Sequence, residues 1–224
     1  MRRTKIKICG ITNEEDAFKL SQMAVDVLGF IVIITARRRP FKITLKKASK
    51  IIAKLPPFIT SVVGVHRKYN SLEEVINILR ETSPDAVQLQ FGGTLGEIKK
   101  IKQAFPTIKI IKTFFVGGSD LKEIKRFSEI IDMILIHGER GEEITSKEEY
   151  LKTAREIVKN SLKPVMIAGG LDLSNVALVI EKVRPYAVDL ISGVETVPGK
   201  KDFVKVDKLI KVVGKVDKKV YRVS

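Results

Sequence analysis

The chain has 224 residues, of which 44% are hydrophobic and 30% are charged. This composition is typical of a globular domain with one sizeable core, and it excludes a disordered chain and a membrane span of roughly 18 apolar residues. The formal net charge of +15 favours an anionic partner such as a phosphorylated metabolite, an acidic surface or a nucleic acid. Basic residues are scattered in short runs without interleaved aromatics, which is more typical of solvated helix faces, so we expect no nucleic-acid or membrane partner.

A single cysteine, Cys9, excludes a disulfide framework and a cysteine-based metal site. Together with the lack of a signal-peptide pattern, it predicts a cytoplasmic protein. From the sequence alone, Cys9 is as compatible with a buried packing role as with a reactive one. The many Lys and Ile residues, with few Asn, Gln and Met, hint at a thermophile.

Apolar runs rich in Val and Ile alternate along the chain with segments of helical period. The predicted strands cover residues 6–9, 25–34, 59–65, 86–89, 108–113, 133–136, 164–168 and 187–191. The predicted helices cover residues 14–23, 45–54, 72–81, 95–104, 121–130, 147–159, 173–183 and 203–213. We expect the basic tail after Val213 to be peripheral.

Eight strand–helix units in 224 residues leave about 28 residues for each, close to the minimum for a closed barrel. The strand runs are apolar without strict alternation, as parallel strands covered on both faces should be. The prediction is therefore an α/β fold, a single (β/α)8 TIM barrel over residues 1–224. A doubly wound open sheet, usually of five or six strands, is the alternative.

A barrel of this kind carries its chemistry in the loops that follow the strands. Gly169 and Gly170 follow the seventh predicted strand, and Ser192 and Gly193 follow the eighth. Glycines let backbone amides approach an anion, and these two loops are where such barrels commonly bind phosphate. The favoured interpretation is a phosphate site, with simple tight turns as the alternative.

Several segments, in this order along nearly the whole chain, resemble phosphoribosylanthranilate isomerase of tryptophan biosynthesis. The segments KICGIT and SGVE…PGKKD are specific to that family, whereas the paired glycines are shared by many phosphate-binding barrels. The matching segments are Lys7 to Thr12, Leu28 to Phe30, Val63 to Val65, Val87 to Leu89, Ala168 to Leu171 with Asn175 and Val176, and Val188 to Asp202.

The resemblance implies an Amadori rearrangement of N-(5-phosphoribosyl)anthranilate to 1-(2-carboxyphenylamino)-1-deoxyribulose 5-phosphate. An acid must protonate the ring oxygen, and a base must remove the proton from C2 of the sugar. No metal or redox cofactor is implied, because the substrate nitrogen stabilises the intermediate. The expected partner is this small phosphorylated substrate, with a second copy of the chain in a possible homodimer. The alternative is a related phosphate-binding barrel whose isomerase activity is altered or lost.

Family precedent assigns the base to the cysteine of KICG, here Cys9, and we expect cationic neighbours to lower the pKa of its thiol. The family acid is usually an aspartate after the sixth strand. Here the stretch from Asp132 to Gly138 places His137 at that position, and a histidinium is a competent acid. The alternative acids are Glu139 and Glu142 in the following loop.

Three further positions have implied substrate contacts. Gln90 stands where the family often has a histidine, and it can still form a hydrogen bond. An arginine that faces the anthranilate carboxylate is placed at Arg38 by spacing, with Arg37 and Arg39 as the alternatives in an uncertain register. Asp189 is expected to contact a sugar hydroxyl or to orient its loop.

Overall fold

Eight parallel strands form a closed barrel in the computed structural model, which describes residues 4–32, 42–66, 71–90, 93–116, 121–138 and 148–221. Each strand pairs with the next along the chain, and β1 also pairs with β8, which closes the ring. The barrel strands are β1 (Lys5–Cys9), β2 (Val27–Val32), β3 (Thr60–His66), β4 (Ala86–Gln90), β5 (Lys109–Phe115), β6 (Met133–His137), β7 (Val165–Ala168) and β8 (Ala187–Leu190). The predicted TIM barrel is confirmed.

One helix follows each barrel strand. The helices are α1 (Glu14–Ser21), α2 (Leu45–Ile52), α3 (Leu72–Thr82), α4 (Leu95–Ala104), α5 (Leu121–Ser128), α6 (Glu148–Asn160), α7 (Val176–Val183) and α8 (Phe203–Val220). Local sequence fixes several starts: Ser71 with Glu74, and Thr94 with Glu97, form reciprocal capping boxes that satisfy the first free amides of α3 and α4.

The barrel strands bury apolar side chains on both faces. Odd and even positions of one strand serve different layers, so Ile110 packs towards the helices while Ile111 packs inside the barrel. Towards the amino-terminal ends of the strands, the barrel interior is filled by apolar side chains, namely Val62, Ala86, Ile111, Leu135, Met166 and Ala187. Burying each large aliphatic side chain contributes about 1.5–3 kcal/mol to the stability of the fold. Because both faces of each strand are covered, the strand sequences are continuous apolar runs and do not alternate between apolar and polar residues.

The expectation of a peripheral C-terminal tail was wrong. Helix α8 continues seven residues beyond Val213 to Val220, and Val216 and Asp217 are buried. The Asp217 carboxylate accepts hydrogen bonds from the backbone N–H and the hydroxyl of Thr4, both at 2.7 Å. The end of the chain is therefore fastened to the residue that precedes β1.

Helix α7 begins at Val176, three residues later than predicted. The Asp172 carboxylate accepts hydrogen bonds from the amides of Ser174 and Asn175, and the Asn175 side chain donates to the Gly170 carbonyl. These side-chain bonds offer the backbone a turn in place of a first helical turn. They hold the β7–α7 loop in a fixed shape.

Two short strand pairs lie outside the predicted pattern. Lys42–Ile43 pairs in parallel with the carboxyl end of β2. Glu195–Val197 forms a small antiparallel hairpin with Lys200–Lys201 after β8. The predicted residues 33 and 34 of the second strand lie outside the described residues.

Candidate active site

A cavity of about 190 Å³ opens at the carboxyl ends of the barrel strands. Seven of the predicted site residues line it, namely Cys9, Gln90, His137, Gly169, Gly170, Asp189 and Ser192. Gly193 does not line it but follows Ser192 directly. Arg38, its alternatives Arg37 and Arg39, and the alternative acids Glu139 and Glu142 lie outside the described residues.

Cys9 ends β1 and is 4% exposed, with its sulfur against the backbone of β2. Gly29 lies opposite Cys9 in the strand register, and a Cβ built on Gly29 would come within 2.6 Å of the Cys9 Sγ. Any larger residue at position 29 would have to displace the thiol. The glycine of the Leu28-Gly29-Phe30 segment therefore makes room for the cysteine.

A buried charged cluster lies one layer deeper in the barrel than Cys9. The Lys7 side chain is fully buried, and its Nζ donates to the Asp189 Oδ2 at 2.6 Å and to the Gln88 Oε1 at 3.0 Å. Sequence reasoning placed Gln88 at a strand end without a role and missed Lys7 as a site residue. The signal was available, because a lysine two positions before Cys9 on a strand points to the same side as the cysteine.

The prediction that cationic neighbours lower the pKa of the Cys9 thiol was wrong in its net direction. Burial raises this pKa, the Lys7 ammonium opposes that effect, Asp189 adds to it, and Lys201 opposes it to a smaller extent. The net result is a raised pKa, because the desolvation of a buried thiolate outweighs the attraction of the two cations. Lys7 itself loses some proton affinity through burial, but its pairing with Asp189 leaves its pKa raised.

His137 ends β6 on the opposite side of the cavity mouth and is half-buried. Its Nδ1 lies 2.6 Å from the carbonyl oxygen of Gly138, and its ring lies 5.6 Å from that of Phe115. Since a carbonyl can only accept, Nδ1 carries a proton and Nε2 is the nitrogen left for a ligand. His66, which the sequence places at a strand end without a predicted role, ends β3 and lines the same cavity.

The glycine loops after β7 and β8 lie against each other and against His137. Gly169 and Gly170 have φ angles of +100° and +67°, in the region that favours glycine, and a Cβ on Gly169 would lie 3.2 Å from the His137 ring. A Cβ on Gly193 would overlap the Leu171 carbonyl and Asp172. One 3-10 turn, Ser192–Val194, follows β8.

The hairpin after β8 fastens the loop that follows Cys9. The Glu195 carboxylate is buried, pairs with the Lys201 Nζ at 2.8 Å, and accepts the Gly199 amide at 3.1 Å. The Lys201 amide donates to Asp16 in α1, and the Thr12 hydroxyl donates to the Gly199 carbonyl. The segment SGVE…PGKKD thus braces the β1–α1 connection.

We expect Gly29→Ala to lower the free energy of unfolding by about 1–3 kcal/mol, because the added methyl group overpacks the contact with Cys9. Gly214→Ala in α8 is the matched control, since a Cβ there meets nothing within 4 Å. It should raise the free energy of unfolding by about 0.5–1 kcal/mol. Urea denaturation measures both, and equal effects of the two alanines would contradict the close approach at Gly29.

The described side chains contain no group of three His, Cys, Asp or Glu residues placed to hold a metal ion. Among the described helices, none has both the length and the hydropathy required to cross a bilayer.

Comparison with known proteins extends over almost the whole chain. The sequence model of the N-(5'-phosphoribosyl)anthranilate isomerase family matches residues 6–212. The N-(5'-phosphoribosyl)anthranilate isomerase of Methanocella arvoryzae is 36% identical over 213 residues, covering 94% of this chain and 98% of that protein.

Two solved structures show the same fold. A phosphoribosylanthranilate isomerase in complex with reduced 1-(o-carboxyphenylamino)-1-deoxyribulose 5-phosphate has a TM-score of 0.74 at 28% identity, covering 95% of this chain and 99% of the other. A structure of monomers that were generated from the dimeric isomerase of Thermotoga maritima has a TM-score of 0.73 at 27% identity, covering 94% of this chain and 98% of the other. The chain belongs to the N-(5'-phosphoribosyl)anthranilate isomerase family, whose enzymes act in tryptophan biosynthesis.

Proposed function

We propose that this barrel isomerises N-(5-phosphoribosyl)anthranilate to 1-(2-carboxyphenylamino)-1-deoxyribulose 5-phosphate with Cys9 as base and His137 as acid. The observation that carries the proposal is that both side chains line one cavity, which also contains the glycines of the β7 and β8 loops. No observation favours a barrel with altered or lost activity.

The reaction needs proton transfers at two atoms bonded to C1 of the sugar, the ring oxygen and C2. The acid protonates the ring oxygen as the C1–O bond breaks, and the positive charge passes to the substrate nitrogen as an iminium. The base then removes the proton from C2 to give an enol amine, and a proton added at C1 with loss of the enol hydroxyl proton gives the ketose. Cys9 and His137 come from strands on different sides of the barrel mouth, which suits a substrate that lies between them.

The phosphate is expected at the loops of Gly169, Gly170, Ser192 and Gly193. Glycines have no Cβ that would hold an anion away from the backbone amides, and Gly169 and Gly170 adopt positive φ angles that other residues rarely adopt. Opposite this site, Gln90 at the end of β4 can bond a polar group of the substrate, and we retain Arg38 for the anthranilate carboxylate.

Asp189 has one carboxylate oxygen available for the substrate. Its Oδ2 holds Lys7, whereas its buried Oδ1 has no partner among the described protein groups. A buried carboxylate oxygen without a donor is costly, and a sugar hydroxyl that donates to it would relieve that cost. This supports the expected contact between Asp189 and a sugar hydroxyl.

The gene should restore growth without tryptophan to an auxotroph that lacks the isomerase, and Cys9→Ser should abolish the rescue. A serine hydroxyl is far too weak a base here, so turnover should fall by about 10³-fold or more while the fold is kept. Turnover is measured on purified protein by the loss of substrate fluorescence. Parental turnover by Cys9→Ser would remove Cys9 from the mechanism, and a parent without activity would contradict the function.

His137 must be protonated to act as the acid. With Nδ1–H held by the Gly138 carbonyl, the imidazolium presents Nε2–H to the ring oxygen and becomes a neutral, correctly oriented imidazole after donating it.

We expect His137→Asn to lose most of kcat, about 10²–10⁴-fold, with little change in substrate affinity, because the lost interaction belongs to the transition state. His137→Asp should recover part of that loss and change the pH profile. Gln90→Asn, at the neighbouring mouth of β4, is the control and should change KM more than kcat. An unimpaired His137→Asn would place the acid elsewhere, with Glu139 and Glu142 as the next residues to replace.

We also propose that the enzyme is a cytoplasmic homodimer, with thermal stability in keeping with its Lys- and Ile-rich composition. A second cavity of about 440 Å³ lies at the amino-terminal ends of the strands, beside Phe58, which is 72% exposed. Two copies that face each other through these ends would bury both Phe58 rings in an isologous contact.

Phe58→Asp should convert the dimer to a monomer in sedimentation velocity experiments. Val204→Asp is the control, because Val204 is also largely exposed, at 64%, but lies in the first turn of α8, which follows the hairpin at the carboxyl ends of the strands. Dimers in both variants, or a monomeric parent, would contradict this assembly.

A further inference from the structure

The Lys7 ammonium has three N–H groups, and two buried acceptors hold it. The Asp189 Oδ2 accepts at 2.6 Å and the Gln88 Oε1 accepts at 3.0 Å. Lys7 and Cys9 are two positions apart on β1, so their side chains point to the same side of the strand, and Cys9, Gln88 and Asp189 line the same cavity. Because the ammonium is fully buried, water does not screen its effect on the sulfur.

This arrangement connects the charge of Asp189 to the chemistry of Cys9. Asp189 neutralises the lysine, which limits how strongly the ammonium can stabilise a thiolate, and its own negative charge disfavours that thiolate. Gln88 is neutral and fixes the position of the ammonium without changing the charge of the cluster. Lys7 and Asp189 therefore act on the sulfur in opposite directions.

We propose that Lys7 is a positioning residue for the isomerase reaction, which stabilises the Cys9 thiolate under the partial restraint of Asp189. The inference rests on the proposed function, because it takes Cys9 to be the base. A buried ammonium beside a sulfur favours the ionised form of the sulfur, which is the form that can accept the C2 proton. Lys7 opposes the effects of burial and of Asp189 on the thiol, so the thiolate would be rarer still without it.

The other titratable groups near Cys9 have weaker or shared influence. Lys201, from the hairpin after β8, lowers the pKa of the thiol less than Lys7 does and is paired with Glu195. His66 and His137 line the same cavity at its mouth. Strand β2 places Gly29 opposite the sulfur and contributes Ile31 to the cavity, and neither residue is charged. Lys7 and Asp189 are thus the charged pair with the largest influence on the thiol.

The test is a pH titration of the thiolate absorbance at 240 nm in the free enzyme. Cys9 is the only cysteine of the chain, so the signal after subtraction of the Cys9→Ser spectrum belongs to one residue. Lys7→Met should raise the titration midpoint by about one pH unit or more, which makes alkylation by iodoacetamide below the midpoint about tenfold slower. Asp189→Asn should lower the midpoint, because it leaves the lysine charge unopposed.

The double variant Lys7→Met with Asp189→Asn keeps the proposal testable if Lys7→Met alone does not fold, since it leaves no unpaired buried carboxylate. Its midpoint should lie above that of the parent. Lys112→Met is the matched control: Lys112 is another buried lysine of a barrel strand, but it packs over the Phe127 ring at 4.7 Å on the helix side of β5. It should leave the midpoint of Cys9 unchanged.

Midpoints in the order Asp189→Asn, parent, double variant would support the proposal. An unchanged midpoint in the double variant, or a midpoint in Asp189→Asn that is not lowered, would overturn it and leave Lys7 a structural residue. Because the titration uses no substrate, such a result is separable from failure of the function, which shows as a parent that does not rescue the auxotroph.

Discussion

The ion pair between Lys7 and Asp189 joins the first and last strands of the barrel. The two residues are register partners across the β1–β8 seam, although 182 positions separate them in the sequence. A buried ion pair recovers little more than its own desolvation cost, and a well-packed apolar pair is often as stable. Its presence at the closing seam, next to the cysteine, is therefore better explained by what the charges do to the site than by stability.

The same constraint determines the residues around the pair. Once Lys7 and Cys9 point into the barrel, β2 must approach without a side chain, which places a glycine at position 29. The β7 and β8 loops are crowded in the same way, since Gly169 lies against His137 and Gly193 against the Leu171 carbonyl. Segments that match the family thus correspond to places where two backbones, or a backbone and a side chain of the cavity, come into close contact.

The barrel itself could be predicted because strand and helix periods repeat eight times, and each unit contributes its own local signals, such as the Ser71 and Thr94 caps. The grouping of Cys9, His137 and the paired glycines followed from the rule that parallel strands bring their carboxyl ends together. The end of α8 could not be predicted in this way, because its burial depends on Asp217 meeting Thr4 from the other end of the chain. The prediction of a lowered pKa for Cys9 was wrong for a related reason, because the sequence shows the cations but not how deeply the sulfur is buried.

The positions of histidine at the barrel mouth connect two departures from the family pattern. Where the family often has a histidine after the fourth strand this chain has Gln90, and where it usually has an aspartate after the sixth strand this chain has His137. A carboxylic acid becomes an anion when it donates its proton, and that anion would disfavour the thiolate of Cys9 across the same small cavity. An imidazolium becomes neutral instead. Compared with the family pattern, this chain therefore has its histidine after the sixth strand, where the proposed acid delivers its proton, and a neutral glutamine after the fourth. With His137 in its proposed role, the groups that meet the anionic substrate are a proton donor that ends neutral and the buried ammonium of Lys7.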